Sequence, residues 1–124
     1  MKKILIIEDD PIAAHVYRKR LEKEGYQVTV AGDGQSGFDR LIEFRPDGLL
    51  LDLMLPKTSG IDLLKAIRNL EFFQKFPVVA YTNAFIPQMI EQALAAGATK
   101  VFDKLTMTPA MLAEAFRVNM QVEG

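Results

Sequence analysis

An α/β fold is predicted for this chain, a three-layer (βα)5 sandwich built on a parallel sheet. Three observations predict it. Apolar runs alternate with segments of helical spacing from one end of the chain to the other. Three of those runs are continuously apolar, as central parallel strands covered on both faces require. The 124 residues, 49% of them apolar, supply one core of ordinary domain size. Residues 1–124 therefore read as one domain.

The first strand, residues 4–7, runs directly into the acids of "IIEDDP". Asp10-Pro11 then pairs an N-cap with proline at the first helical position. In the helix that follows, Ala13, Val16, Tyr17 and Leu21 fall on one face. Gly25 ends it, where a left-handed residue is wanted. The second strand is residues 28–31. Gly32-Asp33-Gly34 makes the loop to a helix whose apolar face is Phe38, Leu41 and Ile42. Pro46-Asp47-Gly48 leads into the third strand, 49–53, and the third helix presents Ile61, Leu64 and Ile67. The fourth strand, 78–81, precedes a helix with Ile90, Ala93, Leu94 and Gly97 on one face. Val101 and Phe102 form the fifth strand. Thr108-Pro109 opens the last helix, with Leu112, Ala115, Phe116 and Met120 on its apolar side.

Composition narrows the function. Fifteen basic and sixteen acidic residues leave a net charge of −1, and Lys and Arg are scattered, so no footprint for nucleic acid is visible. Without cysteine there is neither a disulfide framework nor a thiolate metal site. The apolar run after Met1-Lys2-Lys3 ends at Ile7, too short for a signal peptide. No stretch approaches the roughly 18–20 apolar residues of a membrane span. The expected location is cytoplasmic.

The chemistry gathers at one edge of the sheet. Ligands of open α/β sheets sit beyond the carboxyl ends of the strands, where strand order reverses. In a sheet of order 2-1-3-4-5, strands one and three are neighbours at that point. Glu8 and Asp9, just past strand one, would then share a crevice with Asp52, at the end of "LLL". Three carboxylates raise one another's pKa unless a cation lies among them. Few, hard oxygen ligands suit Mg²⁺. Thr82 ends strand four and Lys104 follows strand five, so both reach the same rim. A hydroxyl and an ammonium beside a carboxylate–Mg²⁺ pair make a receptacle for a phosphoryl group, with Asp52 as the nucleophile.

With "IIEDD", "PDGLLLDLMLPKTSG", "VVAYTNA" and "GATKVFDK", the chain resembles the receiver domain of two-component response regulators over essentially its whole length. Asp52 to Thr82 is 30 residues and Asp52 to Lys104 is 52, the spacings of that family. The resemblance implies a flavodoxin-like sheet of order 2-1-3-4-5. It implies that Asp52 accepts a phosphoryl group, with Thr82 and Lys104 assisting. Asp9, Asp52 and the backbone carbonyl of Met54 would hold Mg²⁺, and Glu8 would act through water. Asp10 is left as the helix cap. The donor would be a sensor histidine kinase or a histidine phosphotransfer protein, and the output a conformational change read by a downstream protein.

Several positions depart from the family pattern. Leu105 follows Lys104 where the family has a proline after a cis bond. A cis bond before a non-proline residue costs about 3–4 kcal/mol, so a trans bond is expected. Val101 stands where an aromatic reporter of activation is common, and Phe102 lies on the opposite face of the strand. Asn83 replaces a small residue after Thr82. Met54 and Ala84 offer no polar group to orient a water, so slow hydrolysis of the acyl phosphate is expected. His15 is the only histidine and is read as a surface residue. Met107, Met111 and Met120 are read as core fillers, and Phe72, Phe73 and Phe76 as packing under the loop before strand four.

The chain ends soon after the fifth helix, which suggests a stand-alone receiver acting by protein contact, with a piece of a longer regulator or hybrid kinase left open. Two other readings stay beside the switch. A pseudo-receiver would bind proteins independently of phosphorylation. A phosphatase resembling the haloacid dehalogenases would need a second aspartate at position 54, where Met54 stands.

Overall fold

The computed structural model describes residues 1–120. Five strands, β1 (Lys3–Ile7), β2 (Gln27–Ala31), β3 (Gly48–Asp52), β4 (Val78–Thr82) and β5 (Lys100–Asp103), form one parallel sheet of order β2-β1-β3-β4-β5. Five helices connect and cover it: α1 (Pro11–Lys23), α2 (Gly34–Phe44), α3 (Gly60–Arg68), α4 (Pro87–Ala96) and α5 (Pro109–Asn119). The expected α/β class and strand order are both present, with strand ends displaced by at most one residue.

Alternation along the strands divides the core in two. Leu5, Ile7, Leu49, Leu51, Val78 and Ala80 pack against α2, α3 and α4. Ile4, Ile6, Leu50, Val79 and Tyr81 pack against α1 and α5. Because both faces are covered, β3 and β4 are buried throughout, and each aliphatic side chain so removed from water contributes about 1.5–3 kcal/mol.

Helix starts follow the sequence signals. Asp10 caps α1 by accepting the Ile12 N–H, Asp33 caps α2 through Ser36, and Thr108 caps α5 through Met111. Gly25 and Gly97 take φ of +99° and +115° at the ends of α1 and α4, a conformation that Cβ disfavours.

Five helix-face and loop assignments need correction. Val16, Ile42 and Leu94 are exposed, and Ala14 and Ala96 fill the sheet side of α1 and α4. Spacing alone cannot separate the centre of an apolar stripe from its margin, and small residues at the centre let the helix approach the sheet. Phe73 is buried and Phe76 half-buried, but Phe72 is 71% exposed, with the Arg45 guanidinium 4.5 Å from its ring centroid. Met107 and Met120 are core residues as read, whereas Met111 is exposed. His15 is on the surface.

Candidate functional site

The carboxyl ends of β1, β3, β4 and β5 lie side by side, with Ile7 opposite Leu51, Asp52 opposite Tyr81 and Tyr81 opposite Phe102. Glu8, Asp52, Tyr81 and Lys104 continue the alternation of Ile6, Leu50, Val79 and Phe102, the residues facing α1 and α5. Four polar groups therefore converge where that half of the core reaches the rim.

Glu8 and Asp52 are almost fully buried, at 1% and 2% exposure, while Asp9 beside them is open to solvent. One oxygen from each of the three lies within 4.8 Å of the others. Lys104 answers this charge. Its Nζ is 2.8 Å from Asp52 Oδ2 and 2.9 Å from Glu8 Oε1. Burial disfavours the ammonium, but the bonds to Asp52 and Glu8 outweigh it, and its pKa stands above the ordinary lysine value.

Backbone groups fix the acids. Asp52 Oδ1 accepts the Met54 N–H at 2.9 Å, and Glu8 Oε2 accepts the Asp10 N–H at 2.9 Å. Asp10 thus has a second task beside its cap: its amide holds the neighbouring glutamate. Thr82 is fully buried at the end of β4, and its hydroxyl accepts the Ala84 N–H at 3.0 Å. It belongs to the other face of the alternation and is turned to its own loop rather than into the carboxylate cluster. Lys104 N–H donates to the Thr82 carbonyl at 3.0 Å, tying the two loops together. The Lys104–Leu105 bond is trans, as expected.

One residue escaped the reading of the sequence. Tyr81 falls within the apolar run of strand four, yet its hydroxyl donates to Glu8 Oε1 in the buried interior. The Lys104 ammonium lies 5.0 Å from the centre of its ring. Burial first, then the bond to Glu8, pushes the phenol far above its usual pKa, so it remains a proton donor. The only available signal was a hydroxyl-bearing aromatic next to last in an otherwise apolar strand.

The described residues match the profile of the "Response regulator receiver domain" family from 4 to 117. The chain belongs to that family. A receiver domain of two-component systems is thereby identified, with an acidic pocket at the carboxyl edge of its sheet. Among its relatives, the transcriptional regulatory protein CpxR of Escherichia coli is 46% identical over 69 residues, 56% of this chain and 29% of that protein. The chain thus covers under a third of that longer regulator. The chemotaxis protein CheY4 of Vibrio cholerae superposes with a TM-score of 0.89 at 24% identity, over 96% of this chain and 98% of that one, a likeness of fold. The receiver domain of the sensor histidine kinase PA1611 from Pseudomonas aeruginosa superposes with a TM-score of 0.85 at 28% identity, over 96% and 97% of the two chains. That structure carries a magnesium ion coordinated in its active site cleft. No helix among the described residues of this receiver is long and apolar enough to cross a membrane.

The donor set fits a hard divalent cation. It consists of carboxylate oxygens alone, few in number, with one member open to solvent, which suits an ion that keeps several of its waters.

Proposed function

We propose that this receiver is a phosphorylatable switch whose acceptor is Asp52. The observation that carries this reading is the Asp52 carboxylate, buried at the end of β3 between the Lys104 ammonium at 2.8 Å and the acids Glu8 and Asp9. A carboxylate so placed is held in one orientation by the Met54 amide and is sheltered from bulk water. Both features favour its use as a nucleophile over its use as a solvated surface charge.

In the transfer, a carboxylate oxygen of Asp52 attacks the phosphorus of a phosphohistidine on a sensor kinase or phosphotransfer protein. The P–N bond breaks as the P–O bond forms, and the imidazole leaves with its electron pair and takes up a proton. Lys104 neutralises charge on the transferred group, and Thr82 exchanges its bond with Ala84 for one to a phosphoryl oxygen. Asp9, Asp52 and the Met54 carbonyl would hold Mg²⁺, with Glu8 acting through water. That ion supplies positive charge against the oxygens of the transferring group. The product carries about −1.5 to −2 charges beside Thr82 and Lys104, where the free carboxylate carried −1. The loops after β3 and β4 then reorganise, and a downstream protein distinguishes the two states. Hydrolysis is slow, because Met54 and Ala84 present no polar side chain to an attacking water.

Incubation with acetyl phosphate, with and without Mg²⁺, followed by intact mass measurement, tests the reading. Modification is expected only with Mg²⁺ and only in protein that retains Asp52, with Asp52→Asn inert. A folded wild type that takes no phosphate under these conditions would instead be a phosphorylation-independent binding module.

A further inference from the structure

We infer that Tyr81 is a positioning residue of the metal site, presetting the Glu8 carboxylate for a divalent cation through its phenolic hydroxyl. The inference rests on the reading of the acidic pocket as a Mg²⁺ site and assigns a role within it to a residue outside the acceptor, acid, threonine and lysine set.

The hydroxyl does not belong to the packing of the core. The equivalent positions on this face of the sheet are held by Ile4, Ile6, Leu50 and Val79, and phenylalanine would fill the same volume as Tyr81. A hydroxyl carried into a fully buried position costs about 1–3 kcal/mol if it finds no partner. Here its partner is Glu8, whose own side chain has no exposed surface.

The ring is fixed independently of that bond. Tyr17 of α1 meets it edge-on, with centroids 5.7 Å apart and planes at 70°. The hydroxyl is therefore delivered to one place, whatever occupies the pocket. Glu8 Oε1 accepts from Tyr81 and from Lys104, and Oε2 accepts from the Asp10 amide. A carboxylate offers about four acceptor directions. Of the three donors, those of Tyr81 and Asp10 stand on the packed core and on the backbone at the start of α1. Lys104 alone is a long side chain with a second carboxylate, Asp52, to hold. It is the exchangeable partner. When a water of the bound cation takes the place of the Lys104 contact, Tyr81 and Asp10 keep the Glu8 carboxylate in its rotamer, and the Tyr81 hydroxyl keeps Oε1 engaged.

The chain contains no tryptophan and three tyrosines, so tyrosine emission is readable and Tyr81 reports on Glu8. Magnesium is titrated into the full chain by calorimetry and by tyrosine fluorescence. Wild type is expected to bind and to change its emission. Tyr81→Phe keeps the ring, its contact with Tyr17 and its place beneath Lys104, and is expected to bind about tenfold more weakly, as losses of a ligand's supporting hydrogen bond do. Its emission change is lost, whereas Tyr26→Phe retains it. In a Glu8→Gln background the further loss from Tyr81→Phe disappears, which a purely structural role for the hydroxyl would not produce.

Equal Mg²⁺ affinity in wild type and Tyr81→Phe overturns the inference and leaves the site reading standing. So does an undiminished loss in the Glu8→Gln background, or a Tyr81→Phe protein that does not fold in EDTA. A wild type that binds no Mg²⁺ by either readout overturns both.

Discussion

Lys104 Nζ and Asp52 Oδ2 lie 2.8 Å apart although 52 residues separate them in the chain. The pair closes the carboxyl edge of the sheet from β3 to the end of β5, across β4. It also leaves one ammonium to balance two buried carboxylates, since the same Nζ reaches Glu8. The stability of the pocket and its chemistry consequently depend on the same few charges.

Removing the ammonium tests that dependence. Lys104→Met is expected to lower metal-free stability by about 1–2 kcal/mol, less than the loss for a fully buried pair because Lys104 is partly solvated. Saturating Mg²⁺ should recover more stability in the variant than in wild type, by ligand linkage. Urea midpoints in EDTA and in Mg²⁺ give the comparison. A variant as stable as wild type in EDTA would show that the pair contributes nothing to the fold.

Gly60 fixes the distance between α3 and β3. A Cβ there would stand 2.4 Å from the Leu53 Cα and 2.9 Å from the Asp52 carbonyl oxygen. These are backbone atoms with no side chain to turn aside. Gly60→Ala is expected to cost about 1–3 kcal/mol and to slow phosphate uptake by shifting Asp52. Thermal unfolding and acetyl phosphate labelling measure the two effects, and an unchanged labelling rate would separate the helix start from the site.

Asp33 carries a pH dependence of stability. The Ser36 N–H, and then the Ser36 hydroxyl, hold its carboxyl below the ordinary aspartate value of 3.8. A lowered folded-state pKa gives stability that is present above the unfolded value and is lost as pH falls through the folded one. The difference in urea midpoint between wild type and Asp33→Asn should therefore be constant above about pH 4 and shrink below it. A difference that holds at pH 2 would remove the charge from the cap.

With Asp52 as the proposed phosphoryl acceptor, Met54 is expected to set the lifetime of the product. Its side chain is exposed, and its amide donates to Asp52 Oδ1. Met54→Asn adds a group able to orient water and should hasten loss of phosphate about tenfold, equivalent to about 1.4 kcal/mol of barrier. Decay of the phosphorylated mass peak after removal of acetyl phosphate reads the rate. Equal decay would place the limit elsewhere.

Much of the site was legible in the residues themselves. Asp52 interrupts a strand that is otherwise entirely aliphatic, and Pro11 marks Asp10 as the cap, which sets Glu8 and Asp9 apart from it. The helix faces were less legible. Val16 and Leu94 match the spacing of the apolar stripe as well as Ala14 and Ala96 do, and only the tilt of each helix on the sheet decides which is covered. The direction of the Thr82 hydroxyl followed the same limit. Its position at the rim came from the strand pattern, but its bond to Ala84 depends on the path of the loop.

From the chain alone came the class, the five strand–helix units and the caps, because local spacing and residue type suffice for each. The clustering of the acids followed from the strand order that the family resemblance implies. The three-dimensional structure alone decided that Tyr81 bonds Glu8, that one lysine serves two carboxylates, and which apolar residues reach the core. Those outcomes are set by strand register and helix approach, which arise from contacts between segments far apart in the chain and leave no periodic trace within any one of them.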